Sequence, residues 1–308
     1  MAKIFIDGSS GTTGLRIRER LAQREDIELI NVPYEKRHDP LVRKEAIAAS
    51  DITFLCLPDD AAKESAQLAE DLDTVIIDTS TAHRVSEGWV YGLPELKGQK
   101  EKIQSAKRIA NPGCHATGFI ALVQPLVEAG IISKDQFLQC TSLTGYSGGG
   151  KKMIAQYEDP NRDPLLDAPR LYGLTQNHKH LKEMKALCLL EHAPAFSPIV
   201  ADFYSGMETI IPLFRQEIAA SAEDIINVYR QLYQGKIITY ADASKDGMIS
   251  AAFMKGRDDM LVHVEGNEER IVLTAVFDNL GKGASGAAIQ NMNIVLGTDE
   301  TKGLVCGE

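Results

Sequence analysis

KIFIDGSSGTTG, residues 3–14, runs from an apolar β-type segment into a glycine turn and on into a helix pattern. Gly8, Gly11 and Gly14 space a G-x-x-G-x-x-G variant of the dinucleotide-binding fingerprint. Glycine suits a tight turn where backbone must approach a pyrophosphate, and the helix that follows offers unpaired N–H groups and a favourable dipole. A glycine triplet alone is a weak signal. Its position as the first strand-to-helix turn of an alternating chain gives it weight.

Outward from that turn, residues 3–80 alternate strand and helix patterns. KIFID is followed by a helix over about 13–24, IELINV by a helix near 40–49, and ITFLCLP by a helix over 60–71, with TVIIDTS next. Such alternation predicts a Rossmann-type parallel sheet, which RIA at 108–110 extends. From about 137 the pattern changes to longer strands, QFLQCTSLTGY, PIVADFYSGMETIIPLF and DMLVHVEGNEERIVLTAVFD, with helices at about 178–190 and 221–234. That is α+β with a mostly antiparallel sheet. The expected fold class is therefore α/β, a dinucleotide-binding domain over 1–115 joined by a C-terminal helix over 284–308, plus an α+β domain over 116–283. The loop-like stretch YEDPNRDPLLDAPRLYGL, residues 157–174, shortly precedes a histidine pair, and long loops in compact domains often carry function.

The second strand is not closed by the acidic residue that would hold an NAD ribose; PYEKRH follows instead. Lys36 and Arg37 can pair with a 2′-phosphate, which favours NADP(H) as cofactor.

The composition sets limits. With 308 residues, 44% of them hydrophobic, the chain can bury a core in each of two domains. A formal charge of -10 argues against a sequence-independent grip on nucleic acid or anionic lipid, both of which need surplus Lys and Arg. The longest apolar runs are too short to cross a bilayer, and the first residues show no export signal, so a cytoplasmic protein without membrane or nucleic-acid partners is expected. Five cysteines without a C-x-x-C pair or metal-ligand spacing suit free thiols in a reducing compartment and no metal. Cys56, Cys140 and Cys188 sit in apolar runs as small hydrophobes, and Cys306 lies in a tail expected to fray.

Cys114 is different. In IANPGCHATG, residues 109–118, it follows a strand and the Pro112-Gly113 turn and stands where a helix begins, so the helix N-terminus stabilises its thiolate for attack on carbonyl carbon. A second cluster, NHKHLKE at 177–183, places His180 and Glu183 on one helix face, where the carboxylate can orient the imidazole. His180 or His178 is the candidate acid/base. TGYSGGGK, residues 144–151, ends a strand with N–H donors suited to clasping a ligand.

These motifs resemble the N-acetyl-γ-glutamyl-phosphate reductases, whose signature is P-G-C, an aromatic, a small residue, T and G, closing on a Pro. Pro112, Gly113, Cys114, Ala116, Thr117, Gly118 and Pro125 occupy those places, and the chain departs at His115, where the family usually carries Phe or Tyr. NHKHLKE is similar to the family's H-R-H-x-P-E with Lys179 for Arg and Lys182 for Pro, and STAHR at 80–84 to its S-A-D-F-R. DNLGKGASG, residues 278–286, is shared with aspartate-semialdehyde dehydrogenases. The resemblance spans essentially the whole length.

It implies that 116–283 is a catalytic and dimerisation domain of a homodimer or homotetramer, and that the small-molecule substrate is an acyl phosphate. NADPH would reduce N-acetyl-γ-glutamyl phosphate to the semialdehyde of arginine biosynthesis through a Cys114 thioester. His180, His178 and Glu183 would assist. Gly8, Ser10, Gly11, Thr12, Thr13, Gly14, Lys36, Arg37, Pro58, Ser80, Gly148, Gly149 and Asn279 would hold cofactor, and Arg84, Asn111 and Ser147 substrate. Two alternatives stay open: an aspartate-semialdehyde dehydrogenase-type reductase of another acyl phosphate, and a noncatalytic NADPH-binding regulator.

Overall fold

The strand β1 (Ala2–Asp7) turns Ile4 and Ile6 into one buried cluster and Phe5 into another, as a period of two requires. The same alternation recurs in β3 (Ile52–Leu55), with Phe54 on one side and Leu55 on the other, and in β4 (Val75–Asp78), with Ile77 opposite Ile76. A sheet apolar on both faces must be covered on both, and each such side chain contributes about 1.5–3 kcal/mol by its burial.

The computed structural model describes residues 1–218, 220–242 and 246–307. They divide into two units: Met1–Pro94 with Gly98–Pro112 and Ala284–Leu304, and Glu95–Lys97 with Gly113–Gly283 and the tail from Val305 on.

In the first unit, β1 leads through α1 (Thr12–Leu21) to β2 (Ile27–Ile30), α2 (Pro40–Ala48), β3, α3 (Asp59–Leu68), β4, β5 (Val90–Tyr91), α4 (Gln99–Ser105) and β6 (Arg108–Ala110). The sheet order is β2-β1-β3-β4-β6-β5 and every pairing is parallel. Chain order reverses direction between β1 and β3, so a crevice opens outside their carboxyl ends, at the glycine turn. The short β5 and α4 carry too little apolar periodicity to be read from sequence. α2 starts where Asp39 accepts the Leu41 N–H at 2.9 Å and Pro40 supplies a preset φ.

The second unit opens with α5 (Cys114–Glu128) and β7 (Gln139–Gly145), then α6 (Gly150–Glu158), β8 (Arg170–Leu171), α7 (Leu181–Leu187), β9 (Ala195–Ala201) and β10 (Met207–Phe214). α8 (Ala222–Leu232), β11 (Ile238–Tyr240), β12 (Met260–Gly266) and β13 (Arg270–Phe277) complete it. Its sheet runs β11-β12-β13-β10-β7-β9-β8. Most neighbours are antiparallel, but β7–β9 and β11–β12 are parallel, so the sheet is mixed. The long crossover between β7 and β9 makes their parallel pairing possible.

The segment read as one strand from 198 breaks at Gly206, whose φ of 134° brings any Cβ against the Ala251 carbonyl. The segment over 259–278 folds into a hairpin at Asn267, which accepts from the Glu269 and Arg270 N–H groups. α8 carries the capping box read from Ser221 and Asp224.

The chain then forms a π-helical turn, Gly281–Ser285, and α9 (Gly286–Val295), whose Ala288, Ile289 and Met292 join the first unit's core. The helix expected over 284–308 stops at Val295, since Gly297 takes φ 65° and ends it. Residue 308 of that range, and 219 and 243–245 of the 116–283 domain, lie outside the described residues. The tail expected to fray is tethered in the second unit: Val305 N–H donates to Asp258 at 2.8 Å and Gly307 N–H to Asp259 at 3.0 Å. No helix among the described residues is long and apolar enough to cross a membrane.

Candidate active site

Cys114 is the first residue of α5, with Gly113 as the extended N-cap. The first helical bond is Thr117 N–H to the Gly113 carbonyl at 2.8 Å, so the Cys114 N–H lies in the first turn, where no carbonyl of the helix is available to it. The segment after β13 passes so close that a Cβ on Gly283 would lie 2.9 Å from the Cys114 Cβ, which explains a glycine there. The other thiols are poor nucleophiles: burial pushes Cys56 up to about 12 and Cys306 up to about 11, and drives Cys140 and Cys188 higher.

The signature's last residue, Pro125, has no N–H, which leaves the Ala121 carbonyl without its helical donor. Tyr233 of α8's C-cap donates to that carbonyl at 2.5 Å, and Tyr229 to the Leu122 carbonyl at 2.6 Å. Gly118 is needed because the Thr209 hydroxyl of β10 occupies the space its Cβ would fill.

The Gly113 N–H donates to Glu183 Oε2 at 3.1 Å, and Glu183 Oε1 lies 3.9 Å from His180 Nε2. Glu183 thus ties the residue before the thiol to His180, both carboxylate and imidazole being buried. The helix read over 178–190 begins only at Leu181: His180 is its N-cap, and His178 stands in the preceding loop and accepts the His180 N–H at Nδ1, 3.2 Å. The two rings meet edge to face at 4.7 Å. Just before them Gln176 holds φ 57°, a conformation disfavoured for a side chain, and its amide clamps both polar groups of the Phe196 backbone, at 2.7 and 2.8 Å.

Two members of this cluster were not singled out by sequence reasoning. His115, noted only as a departure, has Nε2 2.7 Å from the Tyr172 hydroxyl and Nδ1 2.8 Å from Ser142. Burial, then His178, pushes His115 down to about 3. Tyr172 closes the long loop, where β8 pairs with β9 and Tyr172 N–H reaches the Pro198 carbonyl at 3.0 Å. Arg162 staples that loop to Asp202 and Asp167. Burial, then the nearby Cys114, raises the Tyr172 phenol.

In the first unit, the crevice at the β1–β3 switch is a cavity of about 900 Å³, within the range of cofactor sites. Gly8, Ser10, Gly11 and Pro58 line it. Gly8 has φ 90°, and a Cβ there would run into the Cys56 carbonyl, so the cradle is shaped by missing side chains. Asp7 also lines it, buried and bonded to Arg43 at 3.0 Å and Ser65 at 2.6 Å. Arg37 lines the cavity with its guanidinium 3.6 Å over the Tyr34 ring, beside Arg18, which bonds Asn31 at 3.2 Å. These features fit a dinucleotide bearing an extra phosphate. Lys36, read as Arg37's partner, is exposed and lies outside the lining; Arg18 stands there instead, on a helix face that the linear spacing did not connect to residue 37.

Thr12 and Thr13 open α1, and Gly14 lets that helix pack against the Gly8 carbonyl. Ser80 gives its N–H and hydroxyl to Asp78, both at 2.8 Å. Arg84 and Asn111, read as substrate contacts, are buried in the first unit: Arg84 donates to the Asn111 carbonyl at 3.0 Å, and Asn111 to the Ala284 carbonyl at 3.0 Å. In the second unit Asn279 donates to Ser147 at 3.1 Å and accepts the Gly206 N–H at 2.9 Å, so the turn containing Ser147, Gly148 and Gly149 is locked to the DNLGKGASG segment. Among the described residues no group of three or more His, Cys, Asp or Glu is arranged to hold a metal ion.

Residues 114–279 match the semialdehyde dehydrogenase dimerisation domain and residues 34–106 the semialdehyde dehydrogenase NAD binding domain. The chain is 46% identical over 306 residues to the N-acetyl-gamma-glutamyl-phosphate reductase of Allorhizobium ampelinum, covering 96% of this chain and 99% of that one. The reductase of Brucella ovis matches with the same identity and coverage. In structure it resembles aspartate semialdehyde dehydrogenase II of Vibrio cholerae complexed with ASA, with a TM-score of 0.71 at 16% identity, covering 96% of this chain and 98% of that one. The Candida albicans aspartate semialdehyde dehydrogenase with NADP gives a TM-score of 0.67 at 14% identity, covering 96% and 99%.

Proposed function

The chain belongs to the N-acetyl-γ-glutamyl-phosphate reductase family, and from that premise we infer that it reduces N-acetyl-γ-glutamyl phosphate to N-acetylglutamate 5-semialdehyde with NADPH, releasing phosphate. One observation carries the assignment of its chemistry to residues: the only thiol at a helix start among the described residues, Cys114, is joined through Gly113 and Glu183 to His180.

In this reading the Cys114 sulfur bonds to the γ-acyl carbon, the carbon–oxygen bond to phosphate breaks, and a thioester forms. Splitting the exchange in two lowers the barrier of each part. His180 takes the thiol proton at the start and returns a proton when the hemithioacetal collapses and the carbon–sulfur bond breaks. The Cys114 N–H, in the first turn of α5, donates to the tetrahedral oxyanion. Glu183 holds the turn and the imidazole in register, and His178 supports the His180 backbone. NADPH, held by Gly8, Ser10, Gly11, Pro58, Arg18 and Arg37, supplies the hydride. The working form is a cytoplasmic homodimer or homotetramer built through the second unit.

Cys114→Ser is expected to lower turnover by on the order of 10³-fold or more while NADPH still binds with unchanged affinity. Turnover equal to the parent would refute covalent catalysis. Running the reverse reaction with N-acetylglutamate semialdehyde, phosphate and NADP beside aspartate semialdehyde decides the substrate; preference for the latter would overturn it.

A further inference from the structure

The cavity at the β1–β3 switch is lined by three guanidinium groups, Arg18, Arg37 and Arg43, and by two carboxylates, Asp7 and Glu64. Arg43 is spent within the fold. Its Nε lies 3.0 Å from Asp7 Oδ2, one terminal nitrogen 3.0 Å from Glu64 Oε1, and the other 3.5 Å from the Ala61 carbonyl. Two carboxylates thus share one buried guanidinium, so by formal charge this set is net negative in a cavity shaped for an anionic dinucleotide. Arg18 bonds the Asn31 side chain and Arg37 the Tyr34 carbonyl, which leaves both of their charges available to a phosphate.

We propose that Glu64 selects the base of the cofactor by accepting a hydrogen bond from the exocyclic amino group of adenine, an inference that rests on the reading of this cavity as the NADP(H) site. An ionised carboxylate only accepts hydrogen bonds. The phosphates of the dinucleotide repel it, so it belongs under an uncharged donor. The extra phosphate of NADP sits on the adenosine ribose, and the uncharged donors of that half are the 6-amino group of adenine and the ribose 3′-hydroxyl.

Several contacts favour Glu64 and the amino group. Asp7 is only 4% exposed, whereas the Glu64 side chain is 52% exposed and is the carboxylate within reach of a ligand. Arg43 holds Oε1, and among the described residues Oε2 makes no hydrogen bond. The next residue of α3, Ser65, donates to Asp7 at 2.6 Å and so ties the helix to β1. Ala61, one turn before Glu64 on the same face of α3, also lines the cavity, as do Leu57 and Pro58, which lead into that helix. An apolar wall with one fixed acceptor suits a flat base carrying an amino group.

Binding is measured without acyl phosphate, by isothermal titration calorimetry with NADP and with nicotinamide hypoxanthine dinucleotide phosphate. The second ligand keeps the fused ring, both riboses and every phosphate, and puts a carbonyl oxygen where adenine has its amino group. The parent is expected to prefer NADP roughly 10- to 100-fold, the scale of one hydrogen bond to a charged group. Glu64→Ala should bring the two affinities close to equality, mainly by weakening NADP. Glu64→Gln, whose amide donates as well as accepts, should also lose the preference while binding the hypoxanthine ligand more tightly than the parent does. Both variants leave Arg43 paired with Asp7, so no buried charge is stranded and the fold is kept. A parent indifferent to the base would overturn the proposal. So would a Glu64→Ala variant that keeps the parent's preference, and if it weakens both ligands equally, Glu64 takes the 3′-hydroxyl instead. A parent that binds neither dinucleotide would overturn the cofactor reading, and this proposal with it.

Discussion

At residue scale, burial decides the charge of the ring beside the thiol. His115 shows the consequence for stability. Desolvation, with His178 second, holds its folded-state value near about 3, against 6.5 for an unperturbed imidazole. The unfolded chain therefore binds a proton that the folded chain refuses between those values. His115 costs nothing above 6.5, and its presence lowers stability by up to about 1.4 kcal/mol for each pH unit as pH falls through that window. Urea unfolding of His115→Phe from 6.5 toward 3 should accordingly show a shallower acid loss than the parent; identical slopes would mean the ring protonates in the fold. His115 stands in the sequence next to Cys114, yet its hydrogen bonds reach Ser142 and Tyr172, which lie 27 and 57 residues away. Sequence spacing gave no sign of that meeting.

At the scale of elements, α5 was legible because its apolar run and its Pro-Gly start are local signals, whereas its stabilisation is not. Pro125 strips the Ala121 carbonyl of its helical partner, and Tyr233 from α8 supplies the replacement. Tyr233→Phe should destabilise the protein by about 1–3 kcal/mol, since a buried carbonyl is left unmet. In a Pro125→Ala background the restored N–H takes that carbonyl, and the same change should cost about 1 kcal/mol less in denaturant unfolding. Equal costs in both backgrounds would show that the phenol contributes only packing. The long strands read after residue 137 were right in composition and wrong in number. Gly206 and Asn267 interrupt them, and a glycine forced to positive φ by a neighbouring carbonyl cannot be told from an ordinary strand glycine before folding.

At the scale of the whole molecule, cofactor binding couples to stability. A dinucleotide at about 100 times its dissociation constant adds about 2.7 kcal/mol to the folded state. Arg37→Ala should weaken NADP roughly 10- to 100-fold by losing charged hydrogen bonds to the 2′-phosphate, so its thermal upshift with NADP shrinks while that with NAD is unchanged. A loss equal for both dinucleotides would place Arg37 elsewhere on the cofactor. Arg18 in Arg37's place, or beside it, is the natural second variant.

What could be read from the chain was whatever its chemistry expresses over a few neighbouring residues: the glycine turn at 8–14, the thiol at a helix start, the Ser221–Asp224 cap, the strand-helix alternation. Each depends on backbone geometry or on a hydrogen bond that spans one turn. Folding alone chose Arg18 over Lys36 at the cavity, put Glu183 on the Gly113 N–H, drew Tyr172 in from its loop, and engaged Arg84 and Asn111 with backbone carbonyls. Those outcomes turn on which side chains from distant segments share a buried space, where every polar group must find a partner. Linear order does not encode that meeting.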